Sequence, residues 1–395
     1  MTTSAPPSDT NTQSEATPSR QGGGMRVVWM SRTNAPNVIH HLEPLLLHPT
    51  VAQVTLVRNE PIPLEHPKLI QRCYALPLPG KGGRMRRAVR FVWHLFRFLL
   101  NGWRAIRREN ADLVVTINPV PYGILAWLAA TLTGTPLVCL VIGDDMEHFK
   151  GGWKQALLLR LIRTSRFSLT VPGEVQKRQL MEHGVPESAI TPLPHTINRQ
   201  RFRPTAARGF HDHGERFDVV FVGALIAGKR PDRLLAAWSR VAGAFPSARL
   251  AMVGDGPLES SLAGQVKDLG LETSVSLTGS LSMDDLITLY QRSRIFCLPS
   301  ASEGLPFVLV ESICCGLVPV ITDVGAIGEV IRDRMNGRLL RADPSVGEIA
   351  DALIELLDSR EELNRLHMGA ALTMEAFDHG RATAVWDGIL RTTRS

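Results

Sequence analysis

Pro299-Ser300-Ala301-Ser302-Glu303-Gly304-Leu305-Pro306-Phe307-Val308-Leu309-Val310-Glu311 follows a short apolar run at residues 295–298. The apolar run reads as a buried strand. A small polar loop, a glycine and a helix opening near Pro306 then present backbone N–H groups that have no partner within the helix. Such groups, with the helix dipole behind them, attract an anion. Glu311 falls about a turn and a half inside that helix, so Glu303 and Glu311 can face one cleft. One carboxylate then meets a neutral hydroxylated group and the other a ribose, with phosphates at the helix start between them. A nucleotide-sugar site requires this layout.

A chain of 395 residues, 44% of them hydrophobic, suits two domains rather than one core. The five cysteines, Cys73, Cys139, Cys297, Cys314 and Cys315, are odd in number and form no Cys-x-x-Cys. They read as reduced, buried thiols of a cytosolic protein, not as a disulfide framework or zinc site. The first 24 residues are rich in Ser, Thr, Pro, Gln and Gly. They predict a disordered tail without the apolar core of a signal peptide. Residues 113–143 carry no charge, but Pro119, Pro121, Gly123, Gly134 and Pro136 divide them. A strand–helix–strand unit of a buried parallel sheet explains that stretch better than a membrane span.

Strand-like runs at 26–30, 53–57, 113–117, 137–142, 167–171 and 190–193 alternate with helical segments, and a second series runs through 218–222, 249–253, 275–278, 295–298 and 318–322. Alternation of this kind predicts α/β architecture with parallel sheets covered on both faces. The expected organisation is a tail (1–24), a first Rossmann-like domain (25–204), a second (205–377) beginning with a polar linker, and a closing helix (378–395). The apolar positions Ala382, Trp386 and Ile389 of that last segment would pack it back onto the first domain.

The ordered string Pro299, Ser300, Glu303, Gly304, Leu305, Glu311, followed by Cys315-Gly316-Leu317-Val318-Pro319-Val320, Gly325, Glu329 and Asn336-Gly337, resembles the retaining glycosyltransferases of the GT-B fold, family 4 type. Pro194-His195-Thr196-Ile197-Asn198, with Phe202 and Pro204, is similar to the hinge between that family's two domains, though Asn198 replaces an acid. The resemblance implies two doubly wound domains facing across a cleft. It also implies a donor site in which Glu311 holds the ribose and Glu303 the sugar hydroxyls. Gly223, Lys229, Arg230, Ser300 and the backbone of Gly304, Leu305, Pro306 and Phe307 would surround the diphosphate. Glu303, Lys229 and Asp145 are the implied catalytic groups, with Asp144 and His148 on the acceptor side. The chain departs from the pattern at Ala224, where the family carries an arginine, and in the loop Ser31–Asn37, which lacks a glycine pair. Arg230 is the local candidate to replace the missing cation. Lys229 and the helix dipole would neutralise the diphosphate without a metal or other cofactor, and no Asp-x-Asp is present.

From His66 to Arg108 there is no Asp or Glu. On a helix over 86–108, Arg86, Arg90, Arg97, Asn101, Arg104 and Arg108 fall within about 60° of one another. Phe91, Val92, Leu95, Phe96, Phe98, Leu99, Trp103 and Ile106 fill the other side and are expected in the core. The Arg stripe, with Lys81, Arg84 and Arg87 before it, suits an anionic membrane surface. No nucleic-acid signature accompanies it. The resulting expectation is a cytoplasmic enzyme of polysaccharide or glycolipid synthesis, peripheral on the inner face of the membrane where the Arg stripe docks, taking a nucleoside-diphosphate sugar and a saccharide or lipid-linked acceptor. The alternatives are a nucleotide-sugar epimerase of the same fold and a degenerate, non-catalytic nucleotide binder.

Overall fold

The structure, a computed structural model, describes residues 24–75, 84–142, 145, 148–149, 151–164, 166–204 and 217–394. Asp144, Lys81, the polar segment 205–216 and the tail 1–23 lie outside the described residues. The first sheet is built from β1 (Met25–Met30), β2 (Val51–Arg58), β3 (Leu69–Cys73), β4 (Leu113–Ile117), β5 (Leu137–Leu140), β6 (Phe167–Val171) and β7 (Ile190–Pro192). The second contains β8 (Phe217–Val222), β9 (Leu250–Val253), β10 (Val275–Gly279), β11 (Ser293–Leu298), β12 (Val318–Thr322) and β13 (Arg338–Leu340). Their orders are β3-β2-β1-β4-β5-β6-β7 and β10-β9-β8-β11-β12-β13, and every pairing is parallel. Strand order reverses between β1 and β4 and again between β8 and β11. Open parallel sheets bind ligands beyond their strands' C-terminal ends at such switch points.

The helices around the first sheet are α1 (Ala35–Leu47), α2 (Arg84–Glu109), α3 (Ile124–Thr131), α4 (Gly152–Thr164) and α5 (Glu174–Glu182). Those of the second half are α6 (Pro231–Ala244), α7 (Glu259–Asp268), α8 (Met283–Gln291), α9 (Phe307–Cys314), α10 (Ile327–Val330), α11 (Val346–Asp358) and α12 (Arg360–Thr373), and α13 (His379–Arg394) ends the described chain. Successive side chains of a strand point to opposite faces, and β1 shows the consequence. Val28 and Met30 join one apolar layer with Phe98 and Ile106 of α2. Val27 and Trp29 join the other with Leu42 and Leu45 of α1. Ala382, Trp386 and Ile389 of α13 are buried in this second layer, and Thr383 Oγ1 donates to the Pro44 carbonyl at 3.3 Å.

Three features differ from the expectations. First, β3 and β13 were not read as strands. β3 is a partly exposed edge strand with Gln71 and Arg72 in it, and β13 has three residues, so neither shows a sustained apolar pattern. Second, Cys73 is exposed, whereas the other four thiols are buried, and all five are free. Third, only part of the apolar side of α2 is core. Phe98 and Ile106 are buried, but Val92 is 64% and Phe96 50% exposed, and Val89, Phe91 and Trp93 are exposed with them. The first half of α2 therefore runs past the edge of the packed layer. No described helix is long and apolar enough to cross a membrane. Trp386→Ala, which empties a fully buried site between α13 and the first sheet, is expected to cost about 3–5 kcal/mol in urea denaturation. A loss below about 1 kcal/mol would show that α13 does not depend on this contact.

Candidate active site

β8 and β11 are neighbours across the second switch point, and the loops that follow them meet. The Ala301 N–H donates to the Gly228 carbonyl at 2.8 Å, which holds the two loops together. Lys229 Nζ donates to Glu303 Oε1 at 2.5 Å, and Ser300 Oγ donates to the same oxygen at 2.6 Å. Thr322 Oγ1, at the end of β12, anchors the Ser300 carbonyl at 2.7 Å. Two glycines permit this closeness. A Cβ on Gly254 would stand 2.0 Å from the Gly223 carbonyl oxygen, and one on Gly325 would stand 2.1 Å from that of Glu303. Both glycines also have positive φ, where other residues are strained.

Glu311 sits inside α9 and is only 2% exposed. Burying a carboxylate is unfavourable unless its oxygens are hydrogen-bonded. Here His40 Nε2, from α1 of the first half, donates to Oε1 at 2.8 Å, and Tyr290 Oη, from α8, donates to Oε2 at 3.1 Å. Burial, and secondly the Glu311 charge, push the Tyr290 phenol up, so it remains a donor. The first residue of α9, Phe307, stacks on His195 of the hinge segment with ring centroids 4.1 Å apart and planes within 8°. His41 meets Phe307 edge-on at 4.9 Å. Burial holds His195 down to about 3 and His41 well below its ordinary value, with neighbouring imidazoles adding to the depression. These two rings are therefore neutral aromatic surfaces in the junction. Further bonds cross between the halves. Gln176 Nε2 donates to the Gly304 carbonyl at 3.2 Å, and Glu329 receives the Val175 N–H at the start of α5 at 2.6 Å.

The structure thus brings Lys229, Ser300 and Glu303 into one cluster, with Gly304, Leu305, Pro306 and Phe307 leading from it to Glu311. Gly223 lies at the end of β8, its N–H donating to the Val253 carbonyl. Arg230 is directed elsewhere, because its guanidinium binds the Ala342 carbonyl and Asp343, each at 2.9 Å. It does not replace the missing arginine at Ala224 in this arrangement. Asp145 is buried beyond the C-terminal end of the interior strand β5, where Asn118 Nδ2 donates to both carboxylate oxygens at 2.9 and 3.0 Å and the Ile142 N–H to one at 3.0 Å. His148 is half-buried one turn later. No group of three or more metal-ligating side chains occurs among the described residues. Sequence reasoning missed His40, His41 and Tyr290. The available signal was a His-His pair inside an apolar helix, where two imidazoles need a reason to be buried.

The depressed histidines make stability depend on pH. Below about 6.5 the unfolded chain takes up protons that folded His195 and His41 refuse. Stability is therefore full above that pH and is lost as pH falls. His195 alone gives a slope of about 1.4 kcal/mol per pH unit down to its folded value of about 3. Urea midpoints at pH 7 and pH 5 read this slope, and His195→Phe should flatten it. An unchanged slope in the variant would contradict the assignment.

With this geometry in view, comparisons with known proteins agree on one family. The family model described as glycosyl transferase 4-like domain matches residues 45–196, and the model described as glycosyl transferases group 1 matches residues 205–371. Over 269 residues the chain is 30% identical to a D-inositol 3-phosphate glycosyltransferase of Mycolicibacterium smegmatis, covering 65% of this chain and 57% of that one. Over 198 residues it is 29% identical to a GDP-mannose-dependent alpha-(1-6)-phosphatidylinositol monomannoside mannosyltransferase of Mycobacterium tuberculosis, covering 47% of this chain and 51% of that one. The chain thus spans little more than half the length of these two relatives. The crystal structure of Anabaena Alr3699/HepE in complex with UDP superposes with a TM-score of 0.74 at 15% identity, covering 93% of this chain and all of the other. That likeness concerns the fold. The chain belongs to the group 1, family 4 type glycosyltransferases of the GT-B fold.

Proposed function

We propose that this glycosyltransferase is a retaining enzyme that takes a sugar from a nucleoside diphosphate and passes it to a saccharide or lipid-linked acceptor. The observation that carries the reading is the Lys229–Ser300–Glu303 cluster at the second switch point, with Glu311 further along α9. An arriving diphosphate offers Lys229 a second anionic partner. Glu303 then accepts hydrogen bonds from sugar hydroxyls and faces the positive charge that develops at the anomeric carbon. Backbone N–H groups at the start of α9 add to the neutralisation, so transfer without a divalent metal belongs to the proposal. Attack from the face the diphosphate leaves retains configuration, and the departing phosphate takes the acceptor's proton. Positioning then does most of the work. Glu311 would accept from the ribose hydroxyls, which requires His40 to give way. The relatives' names, with GDP-mannose, phosphatidylinositol and inositol 3-phosphate in them, support a nucleotide-sugar donor and a role in glycolipid synthesis.

Peripheral membrane docking is the second part of the proposal. The exposed Val89, Phe91, Val92, Trp93 and Phe96 share α2 with Arg90, Arg97, Arg104 and Arg108. A helix with apolar side chains beside cations lies in the interface of an anionic bilayer. This surface comes from the half of α2 that the core leaves uncovered.

Calorimetric titration with nucleoside diphosphates, with and without chelator, tests the donor site. Glu311→Ala should weaken the preferred diphosphate about 10-fold or more. Glu303→Ala should abolish transfer by a factor of about 100 or more while changing diphosphate affinity little. His40→Ala should tighten the diphosphate several-fold. Indifference of binding to Glu311→Ala would overturn the site assignment. For the membrane, Phe91→Asp with Val92→Asp should abolish flotation with anionic vesicles. Equal partition of the unaltered protein into neutral and anionic vesicles would contradict docking.

A further inference from the structure

Arg58 ends β2 at the C-terminal edge of the first sheet and is only 5% exposed. Its Nε and Nη1 are buried and have no hydrogen-bond partner among the described residues. A guanidinium taken from water with donors unpaired is unfavourable, so the arrangement points to a group that arrives later. Tyr74, the residue after β3, donates its N–H to the Arg58 carbonyl at 3.1 Å. Its hydroxyl lies 3.5 Å from Nδ1 of His94 on α2, and the Tyr122 hydroxyl lies 3.4 Å from Nε2 of the same ring. Arg32, in the loop after β1, donates from Nη1 to Tyr122 Oη at 3.1 Å. Burial, and secondly Tyr122, push the Tyr74 phenol up, while the charges of Arg32, Arg58 and Arg97 oppose that rise. The carboxylate whose charge acts on Arg58 is the exposed Glu60, which accepts from Asn59 Nδ2 at 3.1 Å. The cluster gathers around β1, where the first strand order reverses, and so belongs to the cleft side of the sheet.

We propose that Arg58, with Arg32 and Arg97 around Tyr74, His94 and Tyr122, receives a phosphoryl group carried by the acceptor. The inference rests on the transferase reading only in calling the ligand an acceptor. A guanidinium offers two parallel donors to a phosphoryl group, and phenolic hydroxyls add further donors. Three cations near Tyr74 suit a dianion better than a lone carboxylate. His94 and Arg97 share α2 with the exposed Trp93 and Phe96, so the phosphoryl group of a lipid headgroup and that of a soluble sugar phosphate both fit this position.

The test is titration of the full chain with inorganic phosphate. Binding should survive in Lys229→Ala, which weakens the donor site, fall at least 10-fold in Arg58→Gln, and fall several-fold in Arg32→Ala. Loss in Lys229→Ala with no effect of Arg58→Gln would place the ion in the donor site and overturn the proposal, as would no binding at all. If Arg58→Gln does not fold, the exposed Arg32→Ala combined with Arg97→Ala decides, and unchanged phosphate affinity there contradicts the site. Displacement of phosphate by phosphatidylinositol vesicles, but not by phosphatidylcholine vesicles, assigns a lipid source, whereas displacement by glycerol phosphate alone assigns a soluble one. Displacement by neither contradicts an acceptor role. Nucleoside-diphosphate binding is measured alongside. If it is absent while the Arg58-dependent phosphate site persists, the transferase reading fails and this site stands.

Discussion

Glu303 and Glu311 are carboxylates held almost wholly out of water, and each must be paired where it sits. The partners come from different parts of the chain. Lys229 follows β8, Ser300 follows β11, Tyr290 lies on α8 and His40 lies on α1. Satisfying two charges therefore fixes the β8 and β11 loops against each other and brings the first half of the molecule onto the second. The neutral rings of His195 and His41 fill the junction around Phe307. The same atoms that hold the halves together are those the proposed donor would claim, so binding and domain contact compete for them.

The competition gives the site a physical logic. Lys229 can donate to Glu303 or to a diphosphate, and Glu311 accepts from an imidazole N–H or a ribose hydroxyl. Each carboxylate can exchange one donor for another of the same kind, whereas buried His40, whose Nδ1 already lacks a partner among the described residues, would give up its bond. Arg58 differs, because two of its donors are buried without a partner among the described residues. The matched carboxylates of the second site tolerate an empty state, although His40 Nδ1 and His41 Nε2 beside them also lack partners among the described residues, whereas an unmatched guanidinium favours a ligand. The two ends of the cleft are built on these two principles, exchange at the second sheet and unmet demand at the first.

Much of the fold was legible because buried parallel strands are apolar on both faces, as in Leu113-Val114-Val115-Thr116-Ile117. The proposed donor cluster could be suggested from the sequence because Glu303, Gly304 and Glu311 lie close together in the chain. What could not be read depended on distant partners or on position within a sheet. β3 and β13 are edge or very short strands whose residues are only partly buried. The direction of Arg230 is decided by Asp343 and Ala342, more than a hundred residues away. His40 reaches a carboxylate from the other half of the molecule. The amphipathic pattern of α2 held only for its second half, because a pattern does not say where the underlying sheet ends, and that boundary leaves Phe91, Val92 and Phe96 exposed while Arg90 and Arg97 are partly buried.

The central claim is that Glu303 and Glu311 belong to one nucleotide-sugar site whose pairing with Lys229 and His40 is exchanged for the ligand. A crystal structure with the preferred nucleoside diphosphate tests it most directly. The account predicts the ribose on Glu311, His40 displaced from that carboxylate, and Lys229 on the diphosphate. A bound nucleotide that leaves the His40–Glu311 and Lys229–Glu303 pairs intact would contradict it.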